Sequence, residues 1–270
     1  MAGEHGGHRA RKRFGQNFLH DRGVIDRIAR SIQVTPEDWV VEIGPGQGAL
    51  TEALLAGKPR KLLAIELDRD LVPGLRVQFF DQPAFEVLEA DALKVDFGTL
   101  LPEADRLRVV GNLPYNISTP LIFHILTHAD RIADMHFMLQ REVVERLVAK
   151  PGTSEYGRLS VMAQYRCAIS HLFDVGPGAF RPAPKVWSAI VRLAPHRELP
   201  WPCRDERLLA NMVRQAFTQR RKTLRNALGQ YLTPADWDAT GIDPARRPET
   251  LSVAEFVALA NHVSGKEKES

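Results

Sequence analysis

Residues 39–48 read Trp39-Val40-Val41-Glu42-Ile43-Gly44-Pro45-Gly46-Gln47-Gly48, and this stretch decides the fold class. The first half is apolar and predicts a short buried strand, whereas the glycines predict a tight turn before a helix that begins near residue 49. A glycine-rich turn between a strand and a helix lets a ligand approach the backbone closely. The same turn also fits a purely structural connection, so the turn alone does not define a ligand.

Predicted strands and helices alternate around this stretch. Apolar runs predict further strands at 61–66, 85–91, 107–111 and 134–139, and helical patterns separate most of them. This alternation predicts an α/β fold with a Rossmann-like, doubly wound, mostly parallel sheet. Two more strands, at 167–175 and 186–193, are expected to complete the sheet as an antiparallel pair.

A proline-bearing linker at 195–202 precedes a different pattern. Helical stretches at 205–217, 221–228 and 252–263 predict a small all-α C-terminal domain. We therefore expect an α/β domain over residues 1–197 and a basic helical domain over residues 198–270.

The composition is that of an ordinary globular protein, since 44% of the 270 residues are hydrophobic and 26% are charged. No apolar run approaches the ~20 residues needed to span a membrane. The charged N-terminal segment lacks the apolar region of a secretion signal, so we expect a cytoplasmic protein. Cys167 and Cys203 have no metal-ligand spacing, and we expect no metal site.

Positive charge is concentrated in one cluster near the start of the chain and in a second that follows the predicted α/β core, although the formal net charge is only +3. No acid interrupts the sequence from Arg207 to Ala235. A single basic cluster is more often a solvated face, but two clusters that flank an α/β core favour a polyanion such as RNA. The candidate RNA-binding residues are Arg11, Lys12, Arg13, Arg220, Arg221, Lys222 and Arg225.

Two acids lie where successive predicted strands end. Glu66 follows Gly44 by about 20 residues, and a carboxylate there can accept hydrogen bonds from the hydroxyls of a ribose. Asp91 ends the next strand, where a carboxylate can accept a hydrogen bond from the amino group of adenine. Each acid alone could be a helix cap, but with the glycine turn they favour an adenosine-containing ligand. No basic residue starts the following helix, which argues against a pyrophosphate and favours S-adenosylmethionine over NAD.

The residues Asn112-Leu113-Pro114-Tyr115 follow the apolar run 107–111. The Asn112 amide oxygen and the Leu113 carbonyl can accept the two hydrogens of a nucleobase amino group, and Pro114 removes a competing donor. Tyr115 offers a stacking face, and Phe180, in a loop held by prolines, is expected to close the other side of the base. The structural alternatives are a packed edge for Tyr115 and an ordinary core position for Phe180.

Four stretches in register make the chain similar to a known family. They are Gly15-Gln16-Asn17-Phe18-Leu19, Glu42-Ile43-Gly44-Pro45-Gly46-Gln47-Gly48, Gly111-Asn112-Leu113-Pro114-Tyr115-Asn116-Ile117-Ser118 and Phe180-Arg181-Pro182-Ala183-Pro184-Lys185-Val186. Together with the basic helical C-terminus, they resemble the ribosomal RNA adenine dimethylases, in particular the bacterial small-subunit branch.

The resemblance implies a methyltransferase that uses S-adenosylmethionine to dimethylate N6 of two adjacent adenosines near the 3′ end of small-subunit (16S) rRNA. It implies binding to the 30S ribosomal particle and a role in ribosome biogenesis, and we expect a monomer with no DNA or membrane partner. The expected catalytic residues are Asn112, Leu113, Pro114, Tyr115 and Phe180, and the expected cofactor-binding residues are Asn17, Leu19, Gly44, Gly46, Glu66, Asp91 and Asn112.

Other functions remain as alternatives. An enzyme of the same fold could dimethylate adenine in large-subunit rRNA, but Leu113 and the loop around Phe180 favour the small-subunit branch. DNA adenine and protein glutamine methyltransferases more often carry Asp-Pro-Pro-Tyr or Asn-Pro-Pro-Tyr, which this sequence lacks. A ribosome-assembly factor that kept the fold without essential catalysis is the alternative from a different class.

Overall fold

The computed structural model describes residues 17–266, so the predicted RNA-binding residues Arg11, Lys12 and Arg13 lie outside the described part of the chain. Contacts divide the chain into two compact units. Unit 1 comprises residues up to Val144 together with Ser170–Pro195, and unit 2 comprises Glu145–Ile169 together with His196–Ser270. This division differs from the predicted boundary after residue 197 mainly by the segment Glu145–Ile169, which belongs to unit 2.

Strands and helices alternate through unit 1, and helices dominate unit 2. In chain order the elements are β1 (Phe18–Leu19), α1 (Arg22–Ile32), β2 (Trp39–Ile43), α2 (Ala49–Leu55), β3 (Lys61–Glu66), α3 (Val72–Gln78), β4 (Phe85–Glu89), β5 (Leu107–Asn112), α4 (Ser118–Leu126), β6 (Ile132–Gln140), α5 (Arg141–Val148), α6 (Arg158–Arg166), β7 (Cys167–Val175), β8 (Phe180–Arg181), β9 (Ser188–Pro195), α7 (Glu206–Thr218), α8 (Leu224–Ala227), α9 (Pro234–Thr240) and α10 (Val253–Lys266).

Seven strands form one sheet in the order β4-β3-β2-β5-β6-β9-β7. Neighbours from β4 to β6 are parallel, and β9 is antiparallel to β6. The chain runs outward from β2 to β4 and then returns to β5 on the other side of β2, which creates a topological switch point between β2 and β5. The doubly wound, mostly parallel sheet predicted from the sequence is confirmed.

Apolar side chains explain why β2 and β3 lie in the interior of this sheet rather than at its edge. Val40, Leu62 and Ala64 are completely buried, and they share one core cluster with Ile28 and Ile32 of α1. Full burial of a large aliphatic side chain stabilises the fold by roughly 1.5–3 kcal/mol. The core therefore fixes the two strands whose ends carry the glycine turn and the first predicted acid.

The segment before α1 is held by a second, two-stranded sheet. β1 pairs antiparallel with β8, with Leu19 opposite Phe180, and His20 N donates to Ala179 O at 3.0 Å. Asp21 then caps α1, since its Oδ1 accepts a hydrogen bond from Val24 N at 3.0 Å. Such a cap is typically worth about 1 kcal/mol. These contacts fix the start of the described chain within unit 1.

Unit 2 has a core of its own. α6 contributes the buried Val161 and Tyr165, which cluster with Met212 of α7 and Phe256 of α10. The sequence did not predict α6, because arginine, serine and glutamine interrupt its apolar positions and weaken the helical pattern. Unit 2 also contains the short helix α9, Pro234–Thr240, between the predicted helical stretches.

Within residues 17–266, no helix combines the length and the apolar character needed to cross a membrane.

Candidate active site

A cleft lies at the carboxyl ends of the parallel strands in unit 1. It is lined chiefly by residues 17–19 at β1, 42–47 after β2, 65–68 after β3, 90–92 after β4 and 112–117 after β5. Doubly wound sheets bind their ligands at this position, beside the switch point. The structure therefore brings the predicted glycine turn, both predicted acids and the Asn112–Tyr115 loop to one cleft.

The turn between β2 and α2 adopts a backbone that favours glycine. Gly44 has φ 65° and Gly46 has φ 58°, both in the left-handed region. A Cβ atom on Gly46 would lie 3.0 Å from Cδ1 of Phe18, so the missing side chain lets β1 pack closely against the turn. Phe18 lines the cleft but was not among the predicted site residues, because no local pattern signals this contact.

Glu66 ends β3 at the cleft and is only 6% exposed. Its Oε1 accepts a hydrogen bond from Asp68 N at 2.8 Å, and its Oε2 accepts one from Gly46 N at 3.2 Å. Burial raises the pKa of Glu66, and these two backbone hydrogen bonds oppose that shift. The carboxylate thus connects the end of β3 to the glycine turn, and each oxygen keeps a second lone pair for a ligand.

Asp91 also lines the cleft, but in a turn after β4 rather than in the strand itself. The predicted strand 85–91 is thus two residues shorter in the structure, which ends it at Glu89. Asp91 Oδ1 accepts a hydrogen bond from Leu93 N at 3.0 Å. The side chain therefore stabilises its own turn while it stands at the cleft.

Asn112 connects the end of β5 to the first described residue of the chain. Its Nδ2 donates to the backbone oxygen of Asn17 at 3.1 Å, which leaves Oδ1 as the acceptor of that amide. Gly111 permits the close approach of β5 to β2, since a Cβ atom there would lie 2.5 Å from Ile43 O. The next residue, Leu113, is 1% exposed and donates its N–H to Met138 O at 3.2 Å.

Tyr115 is held beside the cleft by its hydroxyl group. That oxygen lies 3.0 Å from Ser188 Oγ, and Ser188 is 1% exposed. The backbone oxygen of Tyr115 accepts a hydrogen bond from Ser118 Oγ at 3.2 Å, at the start of α4. The hydroxyl group and the backbone of Tyr115 are therefore both held, which suits a half-buried aromatic side chain that presents one face to a ligand.

Phe180 requires a correction. The sequence predicted that Phe180 closes the other side of the base, with an ordinary core position as the alternative, and the structure makes Phe180 part of the unit 1 core at 3% exposure. It pairs with Leu19 in the two-stranded sheet and is not among the residues that line the cleft.

Glu42 is a cleft residue that the prediction did not include. It is 1% exposed, and its Oε2 accepts a hydrogen bond from Thr51 Oγ1 at 2.6 Å. Burial raises the pKa of Glu42 to about 7; the Thr51 hydrogen bond opposes the shift, and the negative charge of Glu66 adds to it. The signal that could have revealed it is a single acid inside an apolar strand, directly before the glycine turn.

The second basic cluster lies in unit 2, around the end of α7 and the start of α8. Arg221, Lys222 and Arg225 are exposed, whereas Arg220 is partly buried. Arg220 Nη2 donates to the backbone oxygen of Ser154 at 2.7 Å. The cluster thus offers three exposed cations, and its fourth member also supports the local structure.

Comparisons with known proteins agree with this geometry. The family model of the ribosomal RNA adenine dimethylases matches residues 7–264. A Pseudomonas fluorescens protein named ribosomal RNA small subunit methyltransferase A is 61% identical over 97% of this chain and 96% of its own. A protein of the same name from Marinobacter nauticus is 59% identical over 97% of this chain and 94% of its own.

Solved structures show the same fold. A dimethyladenosine transferase from Plasmodium falciparum has a TM-score of 0.81 at 25% identity, covering 93% of this chain and 98% of that one. The 23S rRNA methyltransferase ErmE has a TM-score of 0.72 at 27% identity, covering 92% of this chain and all of that one (100%). The family model and these relatives span nearly the whole sequence, and the chain belongs to the ribosomal RNA adenine dimethylase family.

Proposed function

We propose that this chain uses S-adenosylmethionine to dimethylate N6 of two adjacent adenosines near the 3′ end of small-subunit rRNA. The observation that carries the proposal is the Asn112–Tyr115 loop, which shares one cleft with the glycine turn and Glu66. The small-subunit substrate is supported by the relatives at 61% and 59% identity, whose names specify that subunit.

The cleft residues fit the methyl donor. Glu66 keeps lone pairs for the hydroxyls of a ribose, and Asp91, after the next strand, would accept a hydrogen bond from the amino group of adenine. S-adenosylmethionine, when bound, supplies a methyl group on a positively charged sulfur. The residues proposed to hold it are Asn17, Leu19, Gly44, Gly46, Glu66, Asp91 and Asn112, all of which line the cleft.

The Asn112–Tyr115 loop, called the catalytic loop below, positions and polarises the target amino group. Asn112 Oδ1 and the Leu113 carbonyl accept its two hydrogens, which draws the nitrogen lone pair out of conjugation with the ring. The hydrogen bond from Asn112 Nδ2 to Asn17 fixes the amide before substrate binds. Such preorganisation lowers the barrier through orientation and through acceptors aimed at the developing charge.

The remaining loop residues complete this arrangement. Pro114 has no N–H that could compete for the carbonyl acceptors, and the anchored ring of Tyr115 stacks on the base. In each transfer the nitrogen gains the sulfonium methyl, the cationic nitrogen becomes strongly acidic, and it loses one proton to water, so no carboxylate base is required. A base held in this way must first leave its stack in the RNA.

The proposed partner is the small ribosomal subunit in the cytoplasm. The exposed Arg221, Lys222 and Arg225 in unit 2 would contact phosphates of its rRNA, and such contacts make binding depend on salt. We place the role in ribosome biogenesis, with the protein acting as a monomer and without a DNA or membrane partner.

A second candidate function is adenine dimethylation of large-subunit rRNA. The likeness to a 23S rRNA methyltransferase, at a TM-score of 0.72, favours keeping it. Its 27% identity is far below the 61% of the small-subunit relative, and the small-subunit function is therefore the stronger candidate.

The test incubates the protein and labelled S-adenosylmethionine with undermethylated small subunits and, separately, with large subunits, followed by mapping of the modified bases. We expect two adjacent dimethyladenosines near the 3′ end of the small-subunit rRNA. Label only in large-subunit rRNA would support the second candidate, and binding to small subunits without any label would support a pure assembly factor.

A further inference from the structure

Trp187 is a large aromatic side chain left at the surface of unit 1. It is 52% exposed, the highest value among the four tryptophans of the chain, and its neighbour Val186 is 43% exposed. A soluble protein gains nothing in stability by exposing so large an apolar surface, and such patches commonly mark binding sites. Its position at the residue before β9 places it close to the catalytic loop.

The link to the catalytic loop runs through a single residue. Ser188, which follows Trp187, holds the hydroxyl group of Tyr115 at 3.0 Å. Within the sheet, Met138 of β6 lies opposite Asn112 of β5. Two residues further along β6, Gln140 lies opposite Ser188 of β9. Trp187 therefore stands at the same edge of the sheet as the catalytic loop. It does not line the cleft, so it flanks the target position rather than forming it.

The backbone and one side of the ring are held in place. Trp187 O accepts a hydrogen bond from Arg141 N at 2.9 Å. The six-membered part of the indole lies over Gly176, where a Cβ atom would come within 3.6 Å of the ring. The side chain thus has a rigid support, and more than half of its surface remains exposed. A rigid aromatic platform loses little entropy when a ligand stacks on it.

The charge around this platform suits a polyanion. Arg181 and Lys185 are exposed in the same loop, and the sequence has no acid from Val175 to Arg197. The acid just before this range, Asp174, lies 2.8 Å from His171 Nε2 and 3.7 Å from Arg141 Nε. Exposed aromatic and basic side chains in one segment are the combination with which proteins bind single-stranded nucleic acid.

We propose that Trp187 stacks on the base of an unpaired RNA nucleotide adjacent to the target adenosine, with Arg181 and Lys185 contacting the neighbouring phosphates. This inference rests on the proposed function, because the target adenosine defines which nucleotide is adjacent. Trp187 is a positioning residue: it holds the flanking strand while the Asn112–Tyr115 loop holds the reacting base. Its contribution falls on RNA binding, and the methyl donor binds without it.

The test compares Trp187→Ala with Trp187→Phe, which restores a stacking face, and with Phe80→Ala. Phe80 is the matched control because it is an aromatic residue of unit 1 that is 85% exposed and lies at the end of α3. For each variant, the dissociation constant for undermethylated small subunits, the dissociation constant for S-adenosylmethionine and the steady-state KM and kcat are measured.

Trp187→Ala is expected to weaken particle binding and raise KM on the order of tenfold, as loss of one stacked base would, with kcat and donor binding unchanged. Trp187→Phe should recover most of the loss, and Phe80→Ala should match the wild-type protein. Equal binding by Trp187→Ala and the wild type overturns this inference and leaves the proposed function standing. A wild-type protein that binds particles but methylates no small-subunit rRNA contradicts the proposed function instead, and this inference with it.

Discussion

Charged side chains are buried at both the amino ends and the carboxyl ends of the central strands, but the groups that compensate these charges differ. At the amino ends of β5 and β6, Arg108 Nε lies 3.0 Å from Asp134 Oδ1, and Arg108 Nη1 lies 3.0 Å from Asp38 Oδ2. Arg192 Nη2 adds a further contact to Asp134 at 3.2 Å. The positive and negative groups there neutralise one another.

At the carboxyl ends, the buried acids are held by uncharged groups. Glu42 accepts its hydrogen bond from Thr51, and Glu66 accepts two from the backbone N–H groups of Gly46 and Asp68. In residues 17–266, no ion pair to either acid accompanies these bonds. The two acids also repel each other, since the negative charge of Glu66 contributes to the raised pKa of Glu42.

The pKa values record this difference. Burial alone would raise the pKa of Asp134, but the hydrogen bond and charge of Arg108 lower it below the ordinary value. Burial raises the pKa of Glu42 to about 7 and also raises that of Glu66. Uncompensated acids cost stability and persist where a ligand uses them. We therefore propose that the charged groups at the amino ends serve stability and that the acids at the carboxyl ends serve binding and catalysis.

Breaking the charge pairs at the amino ends should have the largest effect on stability. Arg108→Ala leaves Asp134 buried without its main partner, and removal of one member of a buried pair costs about 3–5 kcal/mol. Urea unfolding measures the loss. The control is Lys61→Ala, which removes a partly exposed pair to Glu86 and should cost less than about 1 kcal/mol. Equal losses for the two variants would contradict the assignment.

The contribution of Glu42, at the carboxyl ends, to the stability of the protein should depend on pH. The folded pKa of Glu42, about 7, lies above the ordinary glutamate value of 4.5, so the folded protein binds more protons between these values and stability falls as pH rises through them. A shift of that size corresponds to about 3 kcal/mol. In Glu42→Gln this part of the pH dependence should disappear, as urea unfolding from pH 4 to 8 measures. Identical pH profiles for the variant and the wild type would exclude the raised pKa.

A third set of charges, exposed on unit 2, is expected to affect binding to the small ribosomal subunit rather than stability. Arg221→Ala/Lys222→Ala should weaken binding to small subunits and reduce the slope of log K against log salt by about 1.5, as expected for two phosphate contacts. Arg220 is left unchanged because it also bonds to Ser154. Filter binding over a series of salt concentrations measures the slope. An unchanged slope would identify the cluster as a solvated face.

The smallest expected effect distinguishes the two methyl transfers. After the first transfer, one hydrogen remains for the two acceptors of Asn112 and Leu113, so stacking on Tyr115 matters more for the second. Tyr115→Ala should slow the second transfer more than the first, on the order of the ~1 kcal/mol assigned to a stacked base. Tyr115→Phe keeps the ring and should preserve the ratio. Time courses of monomethyl and dimethyl adenosine give both rates, and an equal slowing by Tyr115→Ala counts against this account.

Features that depend on local sequence were predictable. The strand–turn–helix at residues 39–55 follows from apolar residues and glycines that are neighbours in the chain. Glu66 and Asp91 came to the cleft because the carboxyl ends of parallel strands always share one edge. The Asn112–Tyr115 loop was located by the same rule.

Features that depend on distant partners were not predictable. Phe180 is buried because β8 pairs with β1, and its place in the core depends on elements far away in the chain. The Asn112–Asn17 hydrogen bond joins residues 95 positions apart. Glu42 was not predicted as a site residue because a single buried acid in a strand has no periodic pattern. Sequence thus predicted which segments line the candidate site, whereas tertiary pairing decided which side chains face it.

The central claim is that Asn112 positions the target amino group, whereas the methyl donor is held mainly by the other residues of the same cleft. Asn112→Ala is tested by single-turnover methylation of undermethylated small subunits and by calorimetric titration with S-adenosylmethionine. Asn211→Ala, on the exposed face of α7, is the matched control. We expect methyl transfer by Asn112→Ala to fall at least about a hundredfold, with donor binding largely retained. Methylation near the wild-type rate by Asn112→Ala would contradict the account.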